Sequence, residues 1–247
     1  LLKLNNHQGI LIYVIISILT SLSVLPMATT KATLPTFTEP STLNPNEIYK
    51  KCASGLFGSL FGGLILGTLY GLYPLFLINH LESQSNVANN MATLIFGGML
   101  LQYPIGKLSD IIERRLVLLG VCAASCLILV LMVLTLSQHF VFLFLTLLLG
   151  GCTFTIYPLS ISYACDNLDN KDITGGIQTL LLAYSIGAMS GPLIASLFMS
   201  YLNWGLFIYL IICSISLIIL LSWRRTVSEA SPQEDHFITL TQNTPIM

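Results

Sequence analysis

Seven stretches of the chain, at about residues 10–27, 55–78, 89–105, 116–136, 138–163, 174–199 and 204–223, contain no Asp, Glu, Lys or Arg. A bilayer core about 30 Å thick takes about 20 helical residues to cross. A charge at its centre costs about 2.5–3.5 kcal/mol on insertion scales. Runs this long and this free of charge read as transmembrane helices. The expected fold class is therefore an all-α integral membrane protein with about seven such helices. Composition agrees: 54% of residues are apolar and only 9% are charged, against roughly a quarter charged in a soluble domain. Ten Lys plus Arg against eleven Asp plus Glu leave a net charge of -1, so no basic surface is available for nucleic acid. Seven crossings use up a 247-residue chain and leave no room for a sizeable soluble domain.

The basic residues orient the spans. With residues 10–27 running from outside to inside, Lys31, Lys50, Lys51, Lys107, Arg114, Arg115, Lys171, Arg224 and Arg225 fall on the inner side and Lys3 alone on the outer. That asymmetry predicts an outer amino terminus and a cytoplasmic carboxyl terminus, and the expected location is a bacterial inner (plasma) membrane. A signal-peptide reading of the first span, with Ala28 and Ala32 near a cleavage site, would place these charges on the wrong face. Between the first two spans, Pro35, Pro40 and Pro45 among Thr and Ser residues give a linker composition. The expected organisation is a helix at 1–27, a cytoplasmic linker at 28–53, a six-helix bundle at 54–224 and a disordered polar tail at 225–247.

The connection between the third and fourth spans runs Gly106-Lys-Leu-Ser-Asp-Ile-Ile-Glu-Arg-Arg115. Gly106, Leu108 and Asp110, followed by the basic pair Arg114 and Arg115, resemble the signature loop of the major facilitator superfamily. In that family the loop joins the second and third helices of each six-helix half, and it has that place here. Ile111 and Glu113 stand where the family pattern expects a basic residue and Gly. Such departures resemble the degenerate second-half copy. Physically, two arginines near the start of a helix oppose its dipole by about 0.3–1 kcal/mol each, while Asp110 or Ser109 suits a helix cap. Two readings stand: inner positive charge that serves topology alone, or Asp110 and Arg114, four apart on one helical face, pairing with a neighbouring helix end to hold a gate.

In span six, Gly187-Ala-Met-Ser-Gly191-Pro192 resembles a Gly-x-x-x-Gly-Pro element of the fifth helix of a family half. Small residues four apart let helices approach closely, and Pro192 can bend the helix. Span two carries Gly63, Gly67 and Gly71 at the same spacing, which reads as a close helix contact rather than a ligand site. Family halves consist of two inverted three-helix units, so spans two and five should correspond. Gly62-Gly63 with Tyr73-Pro74 matches Gly150-Gly151 with Tyr157-Pro158 in order, although the spacings differ, 11 against 7.

Spans four and seven are apolar nearly all round and are expected at the periphery. The polar side chains lie on the others, and Tyr70, Tyr73, Gln102, Tyr157, Gln178 and Tyr184 are the cavity-lining candidates. The alternative for each is interhelical hydrogen bonding. Cys122 and Cys126 share a helix face, which reads as packing and not as a metal site. No cofactor or metal is expected, and without an embedded acid or base no enzymatic site is expected either.

The first residues, LLKLNNHQG, read as the end of a loop. The expectation is a carboxyl-terminal half preceded by the last helix of a missing first half. The resemblance implies secondary transport of a small solute by alternating access, with the lipid bilayer and an amino-terminal half or a second copy as partners. By itself the chain is then expected to be inactive. The uncharged spans favour a neutral or amphipathic substrate. A seven-helix receptor shares the topology but explains the linker poorly, and a non-transporting accessory membrane protein is the third reading.

Overall fold

The computed structural model describes residues 6–29, 45–80, 84–135, 138–169 and 172–227. The chain separates into two compact units, Leu1–Glu39 and Pro40–Met247. The first holds α1 (Asn6–Ser23) and the short α2 (Leu25–Thr29). Hydroxyls in α1 are satisfied within the helix: Ser17 donates to the Tyr13 carbonyl at 2.9 Å and Ser21 to that of Ser17 at 2.9 Å. That is the economical way to carry Ser in an apolar helix.

Among the described residues the second unit holds six long helices: α3 (Pro45–His80), α4 (Gln84–Ile111), α5 (Arg114–Leu134), α6 (His139–Asp166), α7 (Ile173–Tyr201) and α8 (Gly205–Val227). Among the described residues, five helical stretches are long and apolar enough to cross a membrane: Cys52–His80 of α3, α5, α6, α7 and Gly205–Trp223 of α8. The 28-residue α4 is more polar, because it carries Asn86, Asn89, Asn90 and Gln102. Its length still suffices for a crossing.

Two expected boundaries move. Part of the linker expected at 28–53 is helical: residues 45–51 precede a kink at Cys52 (φ -136°, ψ 39°) and run into α3. Cys52 is buried there, its thiol 3.3 Å from the Ala164 carbonyl. Residues 30–44 and the tail 228–247 lie outside the described residues, so the loop and tail expected in those stretches lie there too. The second change is at residue 106. From Gly106 to Ile111 the chain belongs to α4, so only residues 112 and 113 separate α4 from α5. Nothing in Lys-Leu-Ser-Asp-Ile breaks a helix, and the hydrogen bond from Ile112 N to the Leu108 carbonyl (2.9 Å) closes the last turn.

Helix pairing follows one rule. α3 packs chiefly on α7 and α4 chiefly on α6; α5 packs on α6 and α8, and α8 also on α3. Exchanging α3 with α6, α4 with α7 and α5 with α8 turns the α3–α7 pair into α6–α4 and the α5–α6 pair into α8–α3. The α3–α6 and α5–α8 pairs map onto themselves. This is the contact pattern of two inverted three-helix repeats. The interior contains Leu69, Tyr73, Phe76, Leu94, Leu118, Leu129, Phe142, Leu149, Ile156 and Phe207. On α5, Leu118, Cys122, Leu129 and Met132 face inward, while Leu127, Val130 and Leu134 face out.

Candidate functional site

Lipid tails are as apolar as leucine, so burial of apolar surface does little to bring membrane helices together. Close backbone approach does more. A Cβ on Gly63 would fall on the Tyr184 carbonyl oxygen, and one on Gly187 would fall on the Leu60 carbonyl oxygen. Each glycine thus faces the carbonyl three residues before its partner. The α4–α6 pair repeats the arrangement: Gly97 faces the Leu147 carbonyl and Gly150 faces that of Leu94. Gly63 and Gly150 are therefore equivalent, as are Gly187 and Gly97. Along the first crossing Gly67 lies on the Ala188 backbone, Gly191 on that of Leu64, and a Cβ on Gly71 would stand 3.4 Å from the Pro192 ring.

This register corrects the repeat expected from the sequence. With Gly63 matched to Gly150, the counterpart of Tyr157 is Tyr70 and not Tyr73. Each follows its glycine by seven residues, so the mismatch of 11 against 7 came from counting from Gly62 instead of Gly63 and to Tyr73 instead of Tyr70.

Tyr70 is half exposed, and its ring meets Phe154 edge-on, with centroids 5.7 Å apart at 73°. Tyr157 lies over Tyr184 at 4.4 Å and 37°. Two ring pairs, contributed by α3, α6 and α7, thus make up an aromatic face. Gln178 is exposed on α7. Gln102 lines a cleft of about 510 Å³ between α4 and α6, together with Tyr103, Lys107, Asp110, Thr155 and Ser162.

Tyr73 has a different place. It is fully buried, with its hydroxyl 3.0 Å from Thr146 Oγ1. Thr146 donates to the Phe142 carbonyl at 2.9 Å and is 3.3 Å from Asn90 Oδ1, so its lone pairs are free to accept from Tyr73. This is the interhelical hydrogen bonding left open above, and it ties α3 to α6.

The charged turn sits where α4 passes into α5. Arg114 Nη2 is 3.2 Å from Asp110 Oδ1, and its Nε is 3.2 Å from Asp166 Oδ2 at the end of α6. Asp110 and Arg114 stand on two helices, not on one helical face as the spacing alone predicts, because α4 ends between them. Arg115 is buried and donates through Nη2 to the Leu221 carbonyl near the end of α8. A carboxylate at the end of α6 and a carbonyl of α8 thus hold the two arginines that the start of α5 disfavours. The expected caps differ as well. Glu113 is the residue before α5 and makes no side-chain cap bond, while Ser109 donates to the Gly106 carbonyl at 2.7 Å. Leu108 lines an apolar groove with Ile105, Ile112 and Leu116. A Cβ on Gly106 would meet open space.

The sequence reading singled out Gly150 but not its partner Gly97, nor Asp166, Asn90 or Thr146. The doublets Gly97-Gly98 and Gly150-Gly151 and the shared seven-residue step from glycine to tyrosine were the available signals.

Inverted three-helix repeats crossing on glycines are an architecture found in membrane transporter folds. The chain belongs to the Major Facilitator Superfamily, whose family model matches residues 55–242. It is 32% identical over 182 residues to an uncharacterised MFS-type transporter, YcaD, of Escherichia fergusonii, covering 74% of this chain and 46% of that protein. It is 33% identical over 175 residues to the uncharacterised MFS-type transporter Ent638_1421 of an Enterobacter species, covering 71% of this chain and 44% of that protein. A YcaD protein of Salmonella typhi is 31% identical over 175 residues, with the same coverage of 71% and 44%. The chain thus spans less than half the length of these relatives. It is an integral membrane protein of a transporter family.

Proposed function

We propose that this chain acts as the carboxyl-terminal half of a secondary transporter that moves a small solute by alternating access. It pairs with an amino-terminal six-helix half, or with a second copy, in a bacterial inner membrane, with its carboxyl terminus in the cytoplasm. The observation that carries this reading is the aromatic face. Tyr70 and Tyr157 hold equivalent places in the two repeats, each seven residues past a helix crossing, and transporter sites form near the membrane midplane at such repeat interfaces. The face offers π surfaces and hydroxyls without a charge, which suits a neutral or amphipathic solute.

In the same reading, the Asp110–Arg114–Asp166 contacts hold one mouth of the bundle in a single state. Gln102 and its cleft lie on the path between that mouth and the tyrosines.

The test is flux into proteoliposomes across a panel of small neutral and amphipathic solutes. Vesicles carrying the paired protein should take up or exchange at least one of them, and vesicles with this chain alone should take up none. Tyr157→Ala and Tyr184→Ala should each abolish the flux. Uptake by the chain alone would overturn the pairing, and full activity in both variants would overturn the path.

A further inference from the structure

At the end of the bundle opposite the Arg114 turn, α3 and α8 are joined by rings. His80, the last residue of α3, stacks on Phe76 at 4.1 Å and 23°, and lies 5.5 Å from Trp204, just before α8. Phe76 meets Phe207 edge-on at 4.7 Å, and Trp204 lies 6.4 Å from Phe207. His80 Nδ1 is 2.9 Å from the Phe76 carbonyl, which fixes the plane of the imidazole in the stack.

The repeat exchange sends α3 to α6 and α8 to α5. At the other end of the bundle the last residue of α6, Asp166, is bound to the first residue of α5, Arg114. Two tethers therefore occupy equivalent places with unlike chemistry, one ionic and one aromatic. Each holds the far end of a helix that carries one of the paired tyrosines: Tyr70 lies ten residues before His80, and Tyr157 nine before Asp166. A proline stands between tyrosine and tether in both, Pro74 in α3 and Pro158 in α6. Proline removes a backbone hydrogen bond and is where a helix bends. Beyond each proline, the angle of the last turns is set by what holds them.

We infer that His80 and Trp204 are positioning residues for Tyr70, the aromatic counterpart of the ionic tether that positions Tyr157. The inference rests on the proposed solute path but concerns the geometry of this chain alone. Loss of the stack frees the end of α3 past Pro74 and changes the exposure of Tyr70 without touching Tyr157, while loss of the ionic tether does the reverse. Ring area is what the stack needs, so phenylalanine at 204 or at 80 preserves it.

The experiment measures modification by a water-soluble thiol reagent of the full chain in lipid bilayers, with Tyr70→Cys or Tyr157→Cys as reporter. Cys126 and Cys165, the two native thiols that are not buried, are replaced by Ser. Trp204→Ala and His80→Ala should each change the rate at position 70 by about two- to thirtyfold, the range of measured couplings along packed side chains. The rate at 157 should not move, Trp204→Phe and His80→Phe should restore the original rate, and Asp166→Asn should shift 157 alone. Equal shifts at both reporters, no shift at either, or failure of phenylalanine to rescue would overturn the assignment. If Trp204→Ala does not fold, the His80→Ala and His80→Phe pair decides alone. No solute is needed, so a chain that transports nothing still gives an answer.

Discussion

The carbonyl oxygen of Tyr184 occupies the place where a side chain on Gly63 would begin. At that crossing α3 and α7 touch backbone to backbone, and no residue with a Cβ fits without moving one of them. Overpacking a tight contact costs typically about 1–3 kcal/mol.

Alanine at Gly63, Gly187, Gly97 or Gly150 should therefore lower stability by at least that much, with similar losses at all four because the two crossings are equivalent. Alanine at Gly106 or Gly120 should be neutral, since a Cβ at either meets no atom within 4 Å. Thermal unfolding of the purified variants in detergent checks the order. The Gly106 result is the more informative, because the family pattern includes that glycine and packing does not require it.

Tyr73 and Thr146 should show a small, measurable coupling. Interhelical hydrogen bonds in membrane proteins average about 0.6 kcal/mol in double-mutant cycles, and this one is fully buried at 3.0 Å. A cycle of Tyr73→Phe with Thr146→Val should return about that coupling energy. Zero coupling would mean that the two hydroxyls find other partners.

The two arginines should differ in what they contribute. Arg114 pairs with carboxylates whose side chains are 67% and 48% exposed, and pairs of that kind contribute about 0–1 kcal/mol. Arg115 is only 7% exposed and bonds a carbonyl of α8; a hydrogen bond to a charged group contributes about 1.5–3 kcal/mol. Arg115→Ala should destabilise the fold more than Arg114→Ala. Chemical unfolding of both variants at two salt concentrations tests this, and only the Arg114 effect should shrink at high salt.

The spans were legible because a charge-free run of 20 residues has few other uses in a protein. The glycine stripes of α3 and α7 could be read for a similar reason, since helix periodicity and residue size are written locally. The partner of Arg114 was not legible. Asp166 lies 52 residues further on, and nothing local ties it to the turn. Tyr73 and Tyr70 are both tyrosines on α3, three residues apart, yet one is sealed in the core and the other opens outward. That difference is set by which face of α3 meets α6 and α7, and the register of the helix crossing decides it. The extension of α4 through Ile111 was missed because a family motif described as a loop masked a sequence that is compatible with helix.

The central claim is that the face formed by Tyr70, Tyr157 and Tyr184 lines a water-filled path. The most direct measurement is the reactivity of single cysteines toward a membrane-impermeant, water-soluble thiol reagent in intact membranes. Cysteine at 70 and at 157 should react. Cysteine at Leu94, which is fully buried, and at Leu127, which is 62% exposed on the outer side of α5, should not. Reactivity at 70 no greater than at Leu127 would place the tyrosine face in lipid and contradict the account.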